Sequence, residues 1–191
     1  MRIKNLIEKP LDEWPWYRSA HEIVKYHPEA YDENGAYKRQ DEWISIYEIG
    51  KNKTWEGDIL TKEEYLKTED KYVKVAIAIM KKCGCKQLTI VPFSIKSTKK
   101  DIKKVSLSKE EYDSFCSILH NTNNSKRIDI DEIADYIKLS LRERDFVIVN
   151  ISHHLLMWSD DYYLCINCNL DERVLRSIVE CEGLYLDPRV R

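Results

Sequence analysis

The chain has 191 residues, of which 43% are hydrophobic and 34% charged, with a formal net charge of −2 and 6 cysteines. That length supports one sizeable core or two small ones, and 5 glycines with 5 prolines exclude a linker-rich or collagen-like chain. The longest apolar runs, "YVKVAIAIM" and "FVIVNI", fall far short of the roughly 20 residues of a membrane helix. The opening "MRIKNLIEKPLDEWPW" has neither the apolar region nor the cleavage site of a secretory signal. These features predict a cytoplasmic protein whose cysteines are mostly free thiols.

In chain order, residues 13–26 read as helical from Tyr17 onward, and His27-Pro28 breaks that pattern. Asn34-Gly35 marks a turn, and Trp43–Ile49 alternates like a short strand, with Ile44 and Ile46 facing inward and Trp43, Ser45 and Tyr47 on the other side. Thr61 and Glu64 open a long, well-buried helix that Gly84 ends. "KQLTIVPFSIK" reads as a strand, with Pro92 suggesting an edge or a bulge, and "DIKKVSL" as a further short strand. Ser108 and Glu111 open a second helix, and Asp129 and Glu132 cap a third. "DFVIVNIS" predicts a strand buried on both faces. "DYYLCINCN" follows as a strand, and Asn169 caps a last helix that stops at Gly183.

The expected class is α/β, with α+β as its variant: a single domain over 1–191 with a mixed sheet and about five helices. An N-terminal helical subdomain over 1–85 is a possible subdivision.

Charge is unevenly distributed. From Glu29 to Asp70 there are twelve acids against six bases, whereas Lys81 to Lys109 holds nine lysines and one acid. The acidic third also carries Trp14, Trp16, Tyr17, Tyr31, Tyr37, Trp43, Tyr47 and Trp55. Such rings serve as core, or as anchors at a protein interface, because they bury much area with few rotors. Tyr31, Tyr37 and Trp55, near turns and charges, fit the core role least.

Three other motifs carry chemistry in principle. Cys83, Cys85, Cys165 and Cys168 suggest zinc, but the first pair is spaced too closely for a knuckle. The second pair, three apart in a strand, points to opposite faces, so free core thiols are expected and no cofactor or metal. His153 or His154 could act as a base beside Asp160 in a small hydrolase. No strained nucleophile turn presents Ser152, and a pair that closes a hairpin is the plainer reading. Lys96 to Lys104 could hold a nucleic-acid backbone, yet it lacks interleaved aromatics, and lysines beside an edge strand also discourage aggregation.

The order "HPEAYDENGAYKRQDEWISIYEIGK…WEGDILTKEEYLKTEDKYV", with the C-terminal "HHLLMWSDDYYLCI" and "EGLYLDP", resembles immunity proteins of bacterial contact-dependent growth inhibition and related polymorphic toxin systems. The resemblance covers about the first 75 and last 45 residues. It implies a cytoplasmic, non-enzymatic inhibitor in a one-to-one complex with a cognate toxin domain, often a nuclease, and no membrane or direct nucleic-acid partner. Acids beside aromatic anchors complement the basic surface of a nuclease. The expected contacts are Asp32, Glu33, Tyr37, Asp41, Glu42, Trp55, Glu56 and Asp58.

Overall fold

A computed structural model describes residues 13–14, 17–33, 38, 43–54, 56–92, 98–121, 125–142, 146–160 and 162–187. Strands β1 (His21–Val24), β2 (Gln87–Pro92), β3 (Lys126–Asp129), β4 (Phe146–Asn150), β5 (Leu155–Asp160), β6 (Tyr163–Asn167) and β7 (Tyr185–Leu186) form one sheet in the order β3-β2-β4-β5-β6-β1-β7. Helices α1 (Lys62–Lys82), α2 (Lys99–Val105), α3 (Lys109–Asn121), α4 (Ala134–Leu141) and α5 (Glu172–Cys181) complete the described elements. The α/β class with about five helices is as expected. Every pairing is antiparallel, however, where a mixed sheet was expected.

Alternation along the strands sorts their side chains into two layers. Leu88, Ile90, Ile148, Leu155, Met157, Leu164 and Ile166 join the helices in the main core. Val91, Val147, Val149, Leu156 and Trp158 pack on the opposite face with Trp14 and Ala20, where Tyr17 stacks on Trp158 at 5.0 Å. The run Val147–Val149 is thus buried on both faces, as its lack of polar alternation implies.

α1 is the spine of the helical layer. Thr61 Oγ1 accepts the Glu64 N–H at 3.1 Å. Tyr65, Glu69, Tyr72, Ala76 and Ile79 recur at helical spacing on its buried face. Gly84, at φ +80°, allows the chain to leave the helix in a conformation other residues resist. α1 packs against α4 and α5, and β1 lies between β6 and β7. The described residues up to Cys85 therefore contribute to the common sheet and core.

Several local expectations change. Residues expected to be helical from Tyr17 form a short 3-10 turn, Tyr17–Ser19, followed by β1. Ile23 and Val24 favour a pleated surface once β6 and β7 supply partners. "DIKKVSL" belongs to α2, because Thr98 and Asp101 make a reciprocal capping box, and Ile102 and Val105 face the core. Its lysines therefore sit on the solvated side of a helix. The third helix begins at Ala134, since Lys126–Asp129 is taken by β3 and Ile130–Glu132 by a 3-10 turn. Pro92 ends β2 inside the sheet, beyond the last β2–β3 pair at Ile90. Asp171 caps α5 in place of Asn169, accepting the Arg173 N–H at 2.9 Å.

Candidate protein-binding face

Residues 43–60, expected to begin as a strand, fold as a compact two-turn loop ahead of α1. Ser45 caps a 3-10 turn at Ile46–Glu48. Glu48 Oε2 accepts the Ile44 and Ser45 N–H groups at 2.6 and 2.8 Å, and its Oε1 accepts Asn52 Nδ2 at 2.6 Å. This Ser-x-x-Glu box, legible in "SIYE", overrides the period-2 pattern. The chain then doubles back. The Gly50 N–H donates to Leu60 O and the Leu60 N–H to Asn52 O, both at 2.8 Å, and Lys53 bridges Ile59.

The loop has a buried underside and an apolar outer side. Trp43, Ile46 and Leu60 are buried beneath it. Trp43 lies 4.9 Å from the Tyr162 ring and 5.6 Å from Tyr65. Ile46 is buried and Ile44 packs half-buried against the same core, as expected. Trp43, expected on the other side, is buried with them, because the 3-10 turn replaces the strand and rotates side chains by about 120° rather than 180° per residue. Outside, Tyr47 is 43% and Ile59 50% exposed, the two large hydrophobic residues exposed among the described residues. Glu56, Asp58 and Glu63, in or next to the same loop, are also exposed, and none makes an ion pair among the described residues.

Of the expected contacts, Glu33, Glu56 and Asp58 are exposed and Asp32 is half-buried. Tyr37, Asp41, Glu42 and Trp55 lie outside the described residues. Tyr31, expected at the surface, is buried against Val24 and Ala30. Tyr47, one of the rings read as core or interface anchor, is exposed though not among the expected contacts, and Ile59, which follows Gly57-Asp58, was not singled out in the sequence.

Behind the loop lies a cavity of about 330 Å³ lined by Trp43, Glu56, Glu64, Thr68, Lys71 and the buried Lys25 among others. The Lys25 ammonium sits 4.7 Å from the Trp43 centroid and 4.9 Å from that of Tyr163, a cation–π cage that locks the loop's anchor to β1.

Two of the acids counted in this region serve the interior. Glu48 is the cap just described. Glu69 is 1% exposed and receives Arg142 Nε and Nη2 at 2.6 Å each. The same guanidinium donates from Nη1 to Val105 O at 2.9 Å and to Glu111 Oε2 at 2.8 Å, joining α1, α2, α3 and the end of α4. Burial pushes the Glu69 carboxyl up, and the Arg142 bonds only partly offset it. Burial works on Glu111 in the same sense, yet Arg142 and the Leu107 N–H hold it below the usual carboxylate range.

The turn histidines and Asp160 are not brought together. His153 and His154 occupy the β4–β5 turn, where His154 takes φ +52°. Asp160 ends β5 at the β6 turn, paired with Tyr163. The six steps along the strand from His154 to Asp160, at about 3.3 Å each, put their backbones about 20 Å apart. Cys165 packs with the Trp158 layer and Cys168 with the helical core, the opposite faces expected for their spacing. All six cysteines are free thiols, and burial beside Cys168 and Cys85 pushes Cys83 up to about 12.

No family model, curated protein or solved structure matches this chain.

Proposed function

We propose that the chain is a bacterial immunity protein that binds a cognate toxin domain one-to-one in the cytoplasm and covers its active site or substrate groove. The toxin is a nuclease in this reading. The observation that supports it most is the pairing of Tyr47 and Ile59, exposed on one braced loop, with the unpaired carboxylates of Glu56, Asp58 and Glu63. Aromatic and aliphatic anchors desolvate a partner, while free carboxylates meet the lysines and arginines with which a nuclease holds phosphate. Glu33, and the sequence positions Asp41, Glu42 and Trp55, extend the same contact set. The hydrolase alternative has no support in the separation of His153 and His154 from Asp160. Among the described residues, no helix is long and apolar enough to cross a membrane.

The test is co-expression with the toxin domain encoded immediately upstream of the gene. Growth rescue and a co-purifying one-to-one complex are the expected result. The absence of both rescue and complex would overturn the reading. Unchanged affinity after Glu56→Lys with Asp58→Lys, and after Tyr47→Ala with Ile59→Ala, would move the interface elsewhere on the surface.

A further inference from the structure

The far end of α1 carries a second recess that the toxin reading does not use. A groove of about 950 Å³ runs across the ends of β2, β3 and β4 and is lined by Lys86, Thr89, Arg127, Asp129, Ser152 and His153 among others. It is built from features singled out in the sequence: the glycine that stops α1 and the histidine of the β4–β5 turn. The His153 ring lies against Gly84, where a Cβ would meet its Cε1 and Nδ1 at 3.4 Å.

The walls are braced by side-chain amides. Asn150 Oδ1 accepts the His153 N–H at 3.1 Å, Asn150 Nδ2 donates to Gln87 O at 2.7 Å, and Gln87 Nε2 donates to Asp129 Oδ1 at 3.0 Å. These bonds connect the hairpin turn, β2 and β3 into one frame. Arg127 stands opposite Thr89 in the β2–β3 register, and Thr89 opposite Val149, so one row of side chains crosses three strands.

Lys86 and Arg127, both exposed, have no carboxylate partner among the described residues, as holds for several other surface lysines, but these two line one recess. Asp129 is the one carboxylate among the lining residues, and one of its oxygens is engaged by Gln87. A planar guanidinium and a mobile ammonium on one polar recess suit a phosphate group. A volume in the range of small-molecule sites leaves room for an organic part along Thr89, Ser152 and His153. No Phe, Tyr or Trp ring lines the groove, and the His153 ring is packed against Gly84, so a run of stacked bases of a single strand is not its natural occupant.

We propose that this groove binds a nucleotide-sized organic phosphate, with Arg127 and Lys86 holding the phosphate. The assignment is independent of the toxin reading. Calorimetric titration of the full chain with ADP, pyrophosphate, inorganic phosphate and a uridine 12-mer tests it. ADP is expected to saturate at sub-millimolar concentration and to bind more tightly than inorganic phosphate. Arg127→Gln and Lys86→Gln should each weaken ADP about tenfold or more, as loss of a charged hydrogen bond implies. Lys104→Gln, on the solvated side of α2, should leave ADP binding unchanged, and unaltered melting temperatures would show that all three variants fold. No saturation by ADP or pyrophosphate, equal binding of ADP and inorganic phosphate, tight binding of the 12-mer alone, or indifference to both groove variants would each overturn the proposal.

Discussion

Glu69 and Glu56 belong to the same acidic stretch of sequence and do opposite work. Glu69 is buried in a bidentate pair with Arg142 beneath α1, while Glu56 stands exposed in the loop that precedes the helix, without an ion pair among the described residues. A count of charges along a segment therefore overstates the acidity a partner meets. What a carboxylate contributes depends on whether a cation reaches it before water does. Buried, it is held by hydrogen bonds whose loss leaves an uncompensated charge; exposed, it adds almost nothing to stability and is available for recognition.

The contrast breaks most visibly at Arg142. Arg142→Met leaves Glu69 buried without its partner and should cost about 3–5 kcal/mol, seen as a large drop in the urea midpoint. A loss under about 1 kcal/mol would mean that the pair is not closed to water in solution. On the exposed side, Glu56→Lys with Asp58→Lys should weaken toxin binding by about tenfold or more, concentrated in the association rate and reduced by added salt. The same double variant should leave the urea midpoint nearly unchanged. Tyr47→Ala and Ile59→Ala should each cost about 1–2 kcal/mol of binding, chiefly through faster dissociation.

A pH series sharpens the buried side. Glu111 is held below the usual range in the fold, so its contribution is complete above the unfolded value of about 4.3 and is lost as pH falls through the lowered one. Glu69 has the opposite sign. Its raised pKa means that protonation favours the fold between the unfolded value and the folded one, which blunts the acid loss. Urea midpoints measured from pH 6 down to about pH 3 should fall less steeply in Glu111→Gln than in the parent chain. Parallel curves would remove Glu111 from the acid response.

The smallest effect tests how firmly the loop presents its anchors. Ser45→Ala removes the hydroxyl that accepts the Tyr47 N–H at 3.3 Å, and should cost about 1 kcal/mol of stability. Toxin binding should weaken only a few-fold, because Trp43, Ile46 and Leu60 still hold the loop from below. A binding loss as large as that of Tyr47→Ala would show that the cap, more than the buried anchors, sets the position of the ring.

By itself the sequence determined the elements whose causes are local. Thr61 and Gly84 bound α1, Ser108 opens α3, Gly183 follows α5, and the unbroken apolar run of β4 declares burial on both faces. The same holds for the opposite orientations of Cys165 and Cys168, which follow from strand periodicity alone. Where two local signals competed, as in Trp43–Ile49, the capping box was present in the letters but the alternation was more conspicuous. Tertiary structure decided whatever required partners distant along the chain. His21–Val24 is a strand because β6 and β7 flank it, and β5 separates the turn histidines from Asp160. Arg142 finds Glu69 across 73 positions and Glu111 across 31, a convergence that no spacing in the sequence encodes. Burial of a charge depends on what packs around it, and only the assembled helices close that space.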